Sequence, residues 1–136
     1  PFIISSPGFA KNQTTDSFTE LVDVYPTLCE LTGITPPGYI HGESLTTVME
    51  NPSVNLKDEI YTRYKQGEAV VDKNYSYTEF FQGEQYLGNM LYDLNVDLKQ
   101  NTDISKRAEN AALVDKYSKK LKVMRDFVNK DPLKEK

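Results

Sequence analysis

Four runs of β-forming residues in close succession constrain this chain more than any other feature. Ile60-Tyr-Thr-Arg-Tyr64, Glu68-Ala-Val-Val71, Tyr75-Ser-Tyr-Thr-Glu-Phe-Phe81 and Met90-Leu-Tyr-Asp-Leu94 have a period of two and are rich in β-branched and aromatic residues. Gln-Gly, Lys-Asn and Gln-Gly-Glu steps separate them, so the expectation is an antiparallel meander of about four strands. Asp72-Lys-Asn74 is predicted to be a tight hairpin between the second and third. From about Ser105 to Asn129 the period returns to 3.6, with Leu113, Tyr117, Leu121, Met124 and Val128 on one stripe. A long helix laid across one sheet face is the economical way to cover it. Asp131-Pro132 is predicted to end that helix, with the terminal Lys-Glu-Lys frayed.

Upstream the pattern differs. Leu21, Val22, Tyr25, Leu28, Cys29 and Leu31 keep a helical period. Pro26 must then lie in a first turn or at a kink, because it has no N–H to donate. Gly33 is a natural residue just past a helix end, and Ile34-Thr-Pro-Pro-Gly38 forbids continuation. Phe2-Ile-Ile4 reads as a buried strand entering the Ser5-Ser-Pro-Gly8 turn, and Asn12 to Thr15 as a surface loop. The helix is expected to pack an apolar side, of which Ile3 and Ile4 cover only part. Gly42 to Met49 is a turn with a short amphipathic piece, and Asn51 to Lys57, with Pro52, reads as a linker. The chain opens at Pro1 without an initiator Met, and the expectation is a fragment.

Composition sets limits. A net charge of −4 and a pI near 5.0 argue against a nucleic-acid partner. The stretch from Lys106 is richer in Lys and Arg than in Asp and Glu, as solvated helix faces are. No apolar run approaches the ~20 residues of a membrane span. One Cys and one His exclude an internal disulfide and the usual His-based metal sites. Cys29 lies among apolar neighbours with no base or positive field nearby, so it reads as a buried, unreactive thiol.

The helical segment then carries a resemblance. Leu21-Val-Asp-Val-Tyr-Pro-Thr-Leu-Cys-Glu-Leu-Thr-Gly-Ile34, preceded by Pro1-Phe-Ile-Ile-Ser-Ser-Pro-Gly8 and followed by Pro36-Pro37 and Gly42-Glu-Ser-Leu45, resembles the C-terminal part of formylglycine-dependent sulfatases of the alkaline-phosphatase-like superfamily. Gly67 to Phe80, ending Tyr75-Ser-Tyr-Thr-Glu-Phe80, and Leu91-Tyr-Asp-Leu94 with Asp97 are similar to the iduronate-2-sulfatase-like members. The pattern departs at Val71-Asp72 (Arg-Thr there), Leu98 (Pro), Gln100 (Glu) and Asp103 (Asn), which leaves subfamily and substrate open.

The resemblance implies an α+β chain in two parts. Residues 1–51 would be the tail of a large α/β domain, 52–57 a linker, and 58–136 a small four-stranded antiparallel subdomain with its long helix. It implies a parent that hydrolyses sulfate esters, on carbohydrate by expectation, and works in the periplasm, in lysosomes or outside cells. Formylglycine and Ca²⁺ would belong to the N-terminal catalytic domain, which is then this segment's partner. Cys29 is followed by Glu-Leu-Thr rather than x-Pro-Ser-Arg, and no Asp cluster has metal-ligand spacing. No catalytic or metal residue is therefore expected here, and the chain alone is expected to be inactive. A phosphatase or phosphodiesterase of the same superfamily is one alternative. A free-standing glycan- or protein-binding module is another, and an exposed apolar surface with self-association would follow if the chain stood alone.

Three residues are candidates for contact with substrate. His41, in the Gly38-Tyr-Ile-His-Gly42 loop, could reach a ligand or be an ordinary exposed loop residue. Arg63 could pair with a sugar carboxylate or sulfate, or sit in a surface ion pair; Lys65 is of the same type. Asp23 reads as a capping or structural residue rather than an acid catalyst. Tyr61, Tyr75, Tyr77 and Tyr92 could stack on sugars or line a half-buried sheet face. Asn12-Gln-Thr14 and Asn74-Tyr-Ser76 fit the glycosylation acceptor pattern, which is short enough to arise by chance.

Overall fold

Asp72 shows how the sheet is built. Its Oδ1 accepts hydrogen bonds from the backbone N–H of Asn74 (2.8 Å) and Tyr75 (2.9 Å), which folds Asp72-Lys-Asn74 into the expected tight connection. In the computed structural model, which describes residues 2–130, β1 (Glu59–Tyr64), β2 (Gly67–Asp72), β3 (Tyr75–Gln82) and β4 (Gln85–Asp93) form one antiparallel sheet in that order. The register sets Tyr61 opposite Val70, Val70 opposite Tyr77 and Tyr77 opposite Leu91, one row across all four strands. Helix α3 (Ala111–Asn129) covers that row. Val70, Tyr77, Leu91, Tyr117 and Leu121 form the core, with Tyr61, Tyr75, Leu113, Val114 and Met124 packed around it. Tyr117 tilts against Tyr75 and Tyr77, with ring centroids 5.6 and 6.3 Å away. The tyrosines at 61, 75 and 77 are thus spent on this packing.

Two boundaries differ from the sequence reading. Strand β4 begins at Gln85 rather than Met90, because a register irregularity at Phe80/Phe81 and Gly88 (φ 157°) carry pairing past a stretch that reads as loop. Helix α3 begins at Ala111, after a 3₁₀ turn at Ala108–Asn110, rather than near Ser105. The Ile104 N–H bonds to the Leu91 carbonyl (2.9 Å) and Asp103 Oδ1 accepts from the Leu91 N–H (3.0 Å). That pairing along β4 holds the segment extended until it turns into the helix. The predicted stop at Asp131-Pro132 and the frayed end lie outside the described residues.

The chain divides into two compact units, Pro1–Asp58 and Glu59–Lys136, and the sheet with α3 makes up the second. In the first, a 3₁₀ turn at Leu21–Asp23 leads into α1 (Val24–Leu31), and a short α2 follows at Thr46–Glu50. Pro26 is the third residue of α1, where a missing N–H leaves no bond unmade. The helix ends as Gly33 predicts. Gly33 takes φ 71°, its N–H reaches the Glu30 carbonyl (3.1 Å), and the Ile34 N–H reaches that of Cys29 (2.8 Å).

The N-terminal expectation is corrected. Phe2-Ile-Ile4 is neither a strand nor buried, and Ile3 is 83% exposed. A strand needs a neighbouring edge to satisfy its backbone, and the first unit holds no other strand among the described residues. The inward side of this helical segment carries Asp23, Pro26, Thr27 and Cys29, while Leu21, Val22, Tyr25 and Leu28 face outward. Residues 52–57, read as a linker, are bonded into the first unit: Thr15 Oγ1 donates to the Pro52 carbonyl (2.7 Å) and the Leu56 N–H to Ser17 Oγ (3.0 Å).

Candidate functional site

Asp23 anchors the backbone just after His41, at Glu43. Its side chain is completely buried, and a buried carboxylate persists only when its oxygens are paired. Oδ2 accepts from the Glu20 N–H (2.7 Å) and Oδ1 from the Glu43 N–H (2.9 Å), while Lys57 Nζ bridges both oxygens at 2.7 and 2.9 Å. Lys57 also reaches Glu20 Oε2 (2.7 Å). Burial alone would lower the Lys57 pKa, but the bonds to Asp23 and Glu20 raise it above the ordinary lysine value. One turn on, the Thr27 hydroxyl accepts from the Leu45 N–H (2.9 Å), and Thr46 Oγ1 donates to Glu30 (2.7 Å).

Gly42 completes the lock. A Cβ there would stand 2.0 Å from the Val22 carbonyl oxygen, so only glycine lets the loop lie against the start of α1. The Leu-Val-Asp…Pro-Thr and Gly-Glu-Ser-Leu segments are therefore two halves of one clasp, and His41 is the exposed residue immediately before it. Asp23 is structural, as expected, and lies far from any role as an acid. Cys29 is buried.

Arg63 and Lys65 lie in the second unit, at the end of the β1–β2 hairpin. Arg63 Nη2 pairs with Glu68 Oε1 (2.8 Å) and donates to Asn129 Oδ1 (3.2 Å). Lys65 occupies the turn at φ 52° with its ammonium 5.3 Å from the Tyr64 ring centre. Both candidates belong to this hairpin, each with partners of its own. His41 belongs to the first unit.

Sequence reasoning missed the charge network behind Arg63. Glu68 also pairs with Arg125 Nε, and Arg125 Nη2 reaches Glu79 Oε2 (3.0 Å). Glu79, only 6% exposed, accepts at Oε1 from the Tyr77 hydroxyl (2.9 Å) and from Ser118 Oγ (2.6 Å). Burial, aided by the neighbouring Glu79 carboxylate, pushes the Tyr77 phenol up to about 12, so it remains a donor at neutral pH. The only sequence signal was three charged residues at inward-facing positions, Glu68 and Glu79 on strands and Arg125 on the helix.

No group of three or more His, Cys, Asp or Glu among the described residues could hold a metal ion. No described helix is long and apolar enough to cross a membrane.

The model of the N-sulphoglucosamine sulphohydrolase C-terminal family matches residues 1–126. The chain belongs to that family. A Delta 4,5-hexuronate-2-O-sulfatase of Bacteroides thetaiotaomicron is 29% identical over 136 residues, covering 86% of this chain and 28% of the relative. The phosphonate monoester hydrolase SpPMH from Silicibacter pomeroyi shares the fold at a TM-score of 0.80 and 15% identity, over 94% of this chain and 29% of that one. A protein solved in complex with its substrate D-glucosamine-2-N,6-O-disulfate matches at a TM-score of 0.70 and 20% identity, over 81% of this chain and 24% of its own. The chain spans under a third of the length of each of these proteins. The family assignment agrees with the resemblance drawn from the Leu21–Ile34 and Leu91–Leu94 patterns, and the α+β architecture agrees with the solved neighbours.

Proposed function

We propose that the protein carrying this segment is a sulfuric ester hydrolase acting on sulfated carbohydrate, and that the segment shapes the substrate end of its cleft. The supporting observation is the family match over residues 1–126, seconded by a hexuronate sulfatase as a relative over most of the chain. The segment supplies no nucleophile. Formylglycine and Ca²⁺, the groups such chemistry uses, would be held by the catalytic domain. His41 and the Arg63–Lys65 pair are the substrate contacts in this reading: an exposed imidazole on a rigid clasp, and two cations suited to sulfate or carboxylate oxygens.

The test is sulfate release by the full-length protein, with formylglycine confirmed by mass spectrometry, from sulfated hexosamine and uronate sugars and from an aryl sulfate. Release from any of them supports the proposal, and turnover of none would sink it. The likeness to a phosphonate monoester hydrolase favours one second reading, hydrolysis of phosphonate or phosphate esters. Phosphonate ester turnover without sulfate release selects it.

A further inference from the structure

Next to the apolar core of the second unit lies a recess of about 470 Å³, within the size range of small-molecule sites. One wall is a single face of α3, formed by Ala111, Val114, Asp115, Ser118, Lys122 and Arg125. The other is the β3–β4 ladder, with Tyr77, Glu79 and Asn89 along it and Phe81 and Tyr86 nearer the turn. Small residues at 111 and 118 leave the space that larger helix-face side chains would fill.

The geometry points to a binding site for a saccharide ring bearing an anionic group. The recess has the three elements such a ligand needs. Its ring platform is Tyr86, 51% exposed and braced edge-on by Phe81 with centroids 5.8 Å apart. Its hydroxyl-binding floor is the half-buried Asn89, whose amide donates to the Tyr77 hydroxyl (3.2 Å) and so joins the network around the buried Glu79 carboxylate. A network fully satisfied by Arg125, Ser118 and Tyr77 holds that floor rigid, which lowers the entropy lost on binding. Its cation is the exposed Lys122 at the rim, with Arg125 stacked 4.2 Å above Phe81.

A core built for packing alone would fill positions 79, 89 and 118 with apolar side chains. Here an acid and a hydroxyl bond each other and, with the amide, line an open space instead. The identity of the anionic group as a sulfate ester rests on the function proposed above. The recess itself rests on its own geometry.

The test is photo-cross-linking of the full-length protein with glucosamine 6-sulfate bearing a diazirine, mapped by peptide mass spectrometry. Adducts are expected on the peptides carrying Tyr86–Asn89 and Asp115–Lys122. They should fall by about tenfold, the scale of one lost contact, in Tyr86→Ala and in Lys122→Ala. Ala111→Trp, which fills the space from an exposed position, should abolish them. Unsulfated glucosamine should label these peptides more weakly. Adducts confined to other peptides, labelling indifferent to all three variants, or equal labelling by the unsulfated probe would each overturn the proposal. Sulfate release is read separately: adducts without turnover defeat only the catalytic reading, and turnover without adducts only this one.

Discussion

Gly42 and Asp23 are the two positions where a single atom decides whether the clasp beneath His41 forms. A methyl group at 42 meets a backbone carbonyl rather than a flexible side chain, so the loop or the start of α1 must move. Gly42→Ala is expected to lower stability by about 1–3 kcal/mol, in the range of overpacked sites, read as a shift of the urea midpoint. Gly33→Ala is the contrast: nothing lies within 4 Å of its would-be Cβ. Only its left-handed backbone resists the change, at about 1–2 kcal/mol. Asp23→Ala would strand Lys57 in a part-buried setting and leave two loop amides without their acceptor. A loss of about 3–5 kcal/mol is expected, and equal stability of the variant and the parent would show that the clasp is not held by this carboxylate.

At the scale of elements, Asp72 ties the β2–β3 turn to α3, and strong acid should loosen that tie. Burial by itself would raise its pKa, but the Tyr117 hydroxyl, the Asn74 and Tyr75 amides and nearby Lys120 together hold it below the usual aspartate value. A carboxyl with a folded pKa below its unfolded one adds stability above the unfolded pKa and loses it as pH falls through the folded pKa. Stability should therefore decline below about pH 4, and Asp72→Asn should flatten that decline in melts taken from pH 6 to 2.5. An unchanged acid limb would assign it to other carboxylates, of which Asp103 is similarly held low, its burial outweighed by the Leu91 and Ser105 amides.

The same scale shows what the sequence made legible. The hairpin at Asp72, the helix end at Gly33 and the α3 stripe each depend on residues within a turn or two of one another, and local pattern is enough to read them. The late start of α3 depends on Leu91 meeting Asp103 and Ile104, and the long β4 on a register irregularity at Phe80/Phe81; no local period records either. Arg125 lies 57 residues from Glu68 and 46 from Glu79, so the polar network was invisible until the sheet closed. Phe2-Ile-Ile4 failed for a related reason, since β-character in a run of side chains does not provide the edge it must pair with.

For the whole molecule, the decisive surface is the outward side of α1. Leu21, Tyr25 and Leu28 recur at helical spacing there and are all more than half exposed, with Val22 and Ile34 beside them. Isolated apolar residues on a surface need no account, but several on one helical face do. The segment corresponds to about a quarter of a relative such as the hexuronate sulfatase, and we propose that this face is covered by the rest of the protein. The 136-residue chain on its own should then bind a hydrophobic dye and self-associate with rising concentration in sedimentation velocity. Leu28→Glu should suppress both while leaving its helical circular dichroism intact. In the full-length protein the same substitution should instead destabilise, because it would drive a charge into a buried contact. A silent Leu28→Glu in the full-length protein would mean that this face meets solvent there, and that the apolar stripe of α1 serves something other than packing against the catalytic domain.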